Sequence, residues 1–189
     1  MKRPRWYRVL LTVFLGRNIL VPLLFRSAVY QGKVVDEETG QPIAEAVVTV
    51  IWYHSPIIQM DQTRSFQIAK EAVTSADGQF SLWTWPGFDF NPFTYVLNPP
   101  DAIIYRAGYA PLARATTYDR GYSTYESLAE ALKKGIVIKL PRLKTKEEAR
   151  HFSGVDSLSV IDVRSDRIPK LFQQVNAHRK AIGLMSPIY

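Results

Sequence analysis

Three patterns of apolar and polar positions succeed one another along the chain. Val9 to Phe25 is an almost unbroken apolar run, interrupted only at Gly16, Arg17 and Asn18. From Val29 the pattern shortens to alternating runs of five to ten residues closed by turn signals, which reads as β-strands. Tyr30–Val35 forms the first and ends in the turn cluster Asp36-Glu37-Glu38-Thr39-Gly40. Pro42 leads into the next, where Ala46, Val48, Val50 and Trp52 alternate with Val47, Thr49, Ile51 and Tyr53. That run is apolar on both faces, as a central strand is. Ser65–Thr74, Gln79–Trp83 after the Asp77-Gly78 hairpin signal, Ala102–Tyr105 and Ile136–Leu140 complete the set.

Beyond residue 123 the period becomes helical. Ser123-x-x-Glu126 is a capping box for a short helix ending at Gly135, and Thr145-x-x-Glu148 opens another that Gly154 stops. In the last helix Ile168, Leu171, Phe172, Val175 and Ile182 share one face, while Arg167, Lys170, Arg179 and Lys180 lie elsewhere. Such a basic amphipathic helix could lie on anionic lipid. With a stripe of five residues, docking on the β region is the favoured expectation. The divisions that result are a hydrophobic N-terminal segment (1–28), a β-sandwich (29–143) and a helical C-terminal extension (144–189).

Charge sharpens these divisions. Residues 1–28 hold six basic side chains and no acidic one, and residues 29–132 hold 6 basic and 12 acidic. Residues 133–189 hold 12 basic and 5 acidic, so the formal charge of +7 sits at the two ends of the chain. A phosphate-binding body would be basic, so nucleic acid is excluded as the expected partner. The expected complement is that the basic extension packs on the acidic sandwich.

The basic start and the apolar run that follows resemble an export signal or signal-anchor. Twelve strongly apolar residues between positions 9 and 25 favour insertion by about −4 to −7 kcal/mol, and Arg17 near the centre costs about 3 kcal/mol. A cleaved signal, cut best after Ala28, is therefore favoured over a stable span, although membrane association through residues 9–25 stays open. Export to the periplasm or cell envelope is the expectation. There is no cysteine, which removes disulfides, thiolate metal sites and cysteine nucleophiles.

Chemistry-bearing motifs are sparse. His54, His151 and His178 are scattered, and no H-E-x-x-H, G-x-S-x-G or Walker sequence occurs. The acidic cluster Asp36, Glu37 and Glu38 could attract a hard cation but lacks the alternation of a dedicated loop, so a solvated turn is expected. No catalytic residue, metal or cofactor is expected. The most unusual stretch is Trp83, Trp85, Phe88, Phe90, Phe93 and Tyr95, six aromatics in thirteen residues beside Asp89 and Asn91. Those rings would suit a protein interface or a sugar, or else fold back over the sandwich. A tyrosine-rich insertion (Tyr118, Tyr122, Tyr125) could cover them.

Three motifs carry a family resemblance. Gly32-x-Val34-x-Asp36-x-x-Thr39-Gly40-x-Pro42-Ile43-x-x-Ala46-x-Val48, then Thr74-x-x-Asp77-Gly78-x-Phe80, then Gly108-Tyr109 together resemble the carboxypeptidase regulatory-like domain. The resemblance implies a mainly β fold, the seven-strand transthyretin-like (prealbumin-like) Greek-key sandwich, with no catalysis of its own. It implies a cell-envelope module that binds or scaffolds a protein or an envelope polysaccharide. The alternative is a carbohydrate-binding module that uses the aromatic loop 83–95. Ser55–Arg64 and residues 84–101 and 110–134 are longer than the family's usual connections. The related transthyretin-like hydrolases need convergent histidines and a characteristic C-terminal tetrapeptide, whereas this chain ends Ser186-Pro187-Ile188-Tyr189.

Overall fold

The alternating runs fold into two small sheets, and the C-terminal helix forms a third layer. The structure, a computed structural model, describes residues 12–13, 28–56, 64–85, 94–96, 99–113, 128–154, 158, 160, 163–184 and 186–188. Its elements in chain order are β1 (Ala28–Asp36), β2 (Val47–Pro56), β3 (Ser65–Val73), β4 (Gln79–Thr84), β5 (Thr94–Val96) and β6 (Asp101–Tyr105). Then come α1 (Leu128–Lys133), β7 (Ile136–Leu140), α2 (Lys146–His151), a 3-10 turn (Ser165–Arg167) and α3 (Pro169–Ala181).

One sheet has the order β4-β1-β7, and the other has β2 at its centre, flanked by β3 on one edge and by β6 and β5 on the other. β1 pairs antiparallel with β4 and parallel with β7. The two partners on the second edge of β2 divide it between them: β6 covers Val47–Ile51 and β5 covers His54–Pro56. The β2–β3 register shifts between Trp52 and Tyr53, at this same division. β5 lies inside the aromatic-rich run, whose composition concealed it.

Strand alternation explains the layering. Tyr30, Val34, Phe80, Leu82, Ile138 and Leu140 point from the first sheet into a core shared with Val48, Val50 and Ile104 of the second. Their neighbours Val47, Ile51, Tyr53, Ile103 and Tyr105 point the opposite way and pack with Ile168, Leu171, Phe172 and Val175 of the C-terminal helix. β2 is thus buried on both faces, as its doubly apolar sequence requires. The expected helix docking is observed as well. Ile182 is only half-buried, and His178 takes the last buried place on the stripe.

Two glycines are fixed by close approach. A Cβ on Gly78, which sits at φ +77°, would meet the Val34 carbonyl oxygen at 2.4 Å. One on Gly32 would meet the Ile136 carbonyl oxygen at 2.6 Å, across the β1–β7 pairing. The capping box at Thr145 is formed: its hydroxyl accepts from the Glu148 amide at 3.1 Å, and Glu148 accepts from the Thr145 amide at 3.2 Å. α1 ends before Gly135 as expected, while Ser123 and Glu126 lie outside the described residues. The N-terminal apolar run falls almost wholly outside them too, and among the described residues no helix is long and apolar enough to cross a membrane.

Candidate functional site

The two sheets bury their inner faces on each other, and α3 covers the outer face of the β2 sheet. The outer face of the β4-β1-β7 sheet carries Val29, Gln31 and Lys33 from β1, Gln79, Ser81 and Trp83 from β4, and Val137 and Lys139 from β7. Trp83 is 61% exposed, Val137 58% and Val29 46%. Register places these side chains in rows: Trp83 opposite Val29, Ser81 opposite Gln31, and Gln79 and Val137 on either side of Lys33. A shallow cleft of about 490 Å³ runs over the Gln31, Lys33, Ser81 and Gly135 part of this face. Rows repeat about 7 Å apart along a strand, so the face presents an apolar platform and then successive hydrogen-bonding rungs.

Of the six aromatics expected to act together, Trp83, Trp85 and Tyr95 lie among the described residues. Trp83 points outward from β4, whereas Trp85, just past the strand, is half-buried. Tyr95 belongs to β5, opposite Ser55. Phe88, Phe90 and Phe93 lie outside the described residues, as do Tyr118, Tyr122 and Tyr125.

A second polar cluster joins the first and third of the family-like motifs. Asp36 is only 1% exposed, which corrects the expectation of a solvated turn. Its Oδ1 accepts from the amides of Glu38 (3.0 Å) and Thr39 (2.9 Å). Its Oδ2 accepts from the Tyr109 hydroxyl (3.2 Å) and from Arg142 Nε. The Arg142 guanidinium also lies over the Tyr109 ring, 5.4 Å from its centre. The Arg142 hydrogen bond, aided by the Thr39 amide, holds the Asp36 carboxyl well below the usual carboxylate range. Burial and the Asp36 carboxylate push the Tyr109 phenol up. Four donors occupy this carboxylate, so its chemistry is architectural: it ties the first turn to the Gly108-Tyr109 turn and to the strand end after β7. Thr74 works similarly, accepting from the Ala46 amide at 2.8 Å and donating to the Ile43 carbonyl at 2.7 Å.

The basic C-terminal region meets the acidic body just after β7 and again at the start of α3, where Glu71 accepts from the Lys170 amide. Arg142–Asp36 and Lys144–Glu38 pair across that boundary just after β7. Arg179, on the helix, donates instead to the carbonyls of Ser186 and Ser153.

Two further polar groups secure the helix-covered face. α3 begins with Pro169, and Ile168 supplies no side-chain cap. Glu71, reaching from β3, accepts from the Lys170 amide (3.0 Å) and the Leu171 amide (2.7 Å). Proline has no N–H, so one carboxylate from another element caps both free donors of the first turn. Burial raises the Glu71 carboxyl above its ordinary value, against the opposing pull of those amides, Lys170 and the Thr49 hydroxyl. At the other end His178, 2% exposed, accepts from the Gly108 amide at Nδ1 (3.3 Å). Its Nε2 therefore carries the proton and donates to the Ala149 carbonyl at 2.9 Å.

In sequence the histidines are merely scattered, and neither the role of His178 nor that of Glu71 was anticipated. For His178 a signal existed, because it falls three residues after Val175 and seven after Leu171 on the apolar stripe. Nothing local marks Glu71, whose partners lie about 100 residues away. Among the described residues no three His, Asp or Glu side chains converge as a metal site. Comparison with family models, with curated proteins and with solved structures finds no match.

Proposed function

We propose that this chain is an exported, non-catalytic module of the cell envelope that binds or scaffolds another macromolecule through the outer face of its three-stranded sheet. The observation that carries this reading is the contrast between the two outer faces: one is sealed by α3, and the other presents Trp83 and Val137 more than half exposed. A large indole left in water on a regular sheet costs apolar hydration unless a partner removes it. The use made of the described polar groups supports a non-catalytic reading. Asp36, His178 and Glu71 each spend their hydrogen-bonding capacity on backbone or neighbouring side chains.

The same proposal takes the fold as the seven-strand transthyretin-like Greek-key sandwich of the carboxypeptidase regulatory-like domain. In its support, the resembling positions all have a defined place: Gly78 at positive φ against β1, Asp36 and Tyr109 joined, and Thr74 bridging Ile43 and Ala46. Export rests on the basic, then apolar, N-terminal segment. The alternative, a carbohydrate-binding module using the aromatic loop 83–95, is favoured by one observation, the exposed Trp83 ring.

A photo-crosslinking residue at position 83 of the full chain, expressed in cells that are then fractionated, tests the proposal. The expected result is an adduct with a macromolecule in the envelope fraction. Full-length protein in the cytosol with no adduct from position 83 overturns it.

A further inference from the structure

We infer that the partner of this face is an acidic polysaccharide, with a sugar ring stacked on Trp83 and the chain running along the rows toward Lys33 and Lys139. The inference rests on the binding reading above and adds the chemistry of the ligand.

The composition of the face decides against a protein partner. Protein interface cores are rich in aromatics, Met and Arg, and poor in Lys and Ser. The eight outward side chains open to solvent here include two lysines, a serine and two glutamines, with a single aromatic. Beyond the Val29–Trp83 row the surface therefore offers hydrogen-bonding groups in place of an apolar core. Those groups suit a ligand that is densely hydroxylated along its whole length. A pyranose has an apolar C–H face for the indole and hydroxyls at its rim for Gln31 and Ser81, which face each other across β1 and β4.

Charge supplies the second argument. None of the eight outward side chains is acidic, and Lys33 and Lys139 lie in adjacent rows on neighbouring strands. One carboxylate next to this face is that of Asp77 in the hairpin turn, and the exposed Glu37 follows the strand at its Lys139 end. The Asp77 oxygen is already engaged by the Ser75 hydroxyl and the Gln79 amide, though Lys33 still lowers its pKa. The cationic end of the platform thus favours a chain that bears acidic groups over a neutral one. Sugar carboxylates and sugar sulfates share this chemistry.

The test uses the full-length protein titrated with polygalacturonate, dextran sulfate and neutral dextran. Binding to at least one acidic polymer is expected, weakening as salt rises, with neutral dextran bound far less. Preference between the two acidic polymers identifies the acidic group. Trp83→Ala should lower affinity about tenfold, and Trp83→Phe should restore part of it. Lys33→Ala with Lys139→Ala should reduce both the affinity for the acidic polymers and its salt dependence. All these positions are at the surface, and unchanged melting of each variant confirms that the fold is retained. Equal binding by Trp83→Ala, or no binding to either acidic polymer, overturns the inference. A polypeptide adduct from position 83 in cells would also overturn it while leaving the binding reading intact. The loss of both glycan affinity and every adduct would end the two together.

Discussion

The two outer faces of this sandwich are built from the same alternation and have opposite fates. On the β2 sheet the outward positions are Val47, Ile51, Tyr53, Ile103 and Tyr105, which are large and apolar, and α3 covers them. On the β1 sheet they are mostly Gln, Ser and Lys around one indole, and no described element covers them. A sheet face is thus sealed or left open by the side chains at every second position, before any helix arrives. The helix contributes its own apolar stripe, and its ends are then fastened by Glu71 and His178.

The comparison breaks most directly at Phe172. It is 5% exposed within the covered face, and Phe172→Ala should cost about 3 kcal/mol of stability by denaturant unfolding. Deleting residues 165–189 should go further and expose Ile51, Tyr53 and Ile103, giving aggregation that light scattering detects. An unchanged Tm for Phe172→Ala would mean that α3 is no part of the core.

His178→Ala comes next, at about 2 kcal/mol, because it removes a buried ring together with its hydrogen bonds to the Gly108 amide and the Ala149 carbonyl. Hydrogen exchange of the Gly108 amide should accelerate selectively.

Glu71→Ala should cost about 1 kcal/mol through the lost cap. Glu71→Gln, which keeps one acceptor and sheds the buried charge, should cost clearly less. The pH dependence has a definite sign. The native carboxyl lies above the ordinary 4.5 of the unfolded chain, so the folded protein holds the extra proton between those values. The Glu71 contribution to stability is therefore full below 4.5 and falls as pH rises through the native value. Asp36 runs the opposite way: its contribution is full above the ordinary 3.8 and is lost as pH falls through its depressed native value. Melting curves of wild type and Glu71→Gln from pH 4 to 7 should converge at the acid end.

The smallest effect on stability belongs to the open face. Trp83→Ala and Val137→Thr should each change it by no more than about 0.5 kcal/mol. A larger loss at Trp83 would show that the ring is structural, which would remove the contrast between the faces.

Much of this architecture could be read from single segments. The doubly apolar β2, the stripe of α3 and the Thr145 capping box are local patterns whose physics is also local. The burial of Asp36 was not legible, because the Tyr109 hydroxyl and Arg142 that allow it lie 73 and 106 residues further along the chain. β5 was hidden by the aromatic residues around it, and Glu71 looked like any polar residue on a strand. For the candidate site, clustering in sequence suggested six aromatics, and of these Trp83 stands on the outer face of β4. Trp83 is left among glutamines and lysines from strands that composition alone could not bring beside it.

The parallel pairing of β1 with β7 has a consequence in time. The first strand of the sandwich is the central strand of its sheet, and Gly32 waits for Ile136, more than a hundred residues later. Closing so long a loop is entropically expensive and slow. Until residue 140 is available, one edge of β1 stays unsatisfied and can pair with any passing strand. A chain growing from its N-terminus therefore cannot finish this sheet early. A fragment ending before β7 should aggregate rather than fold.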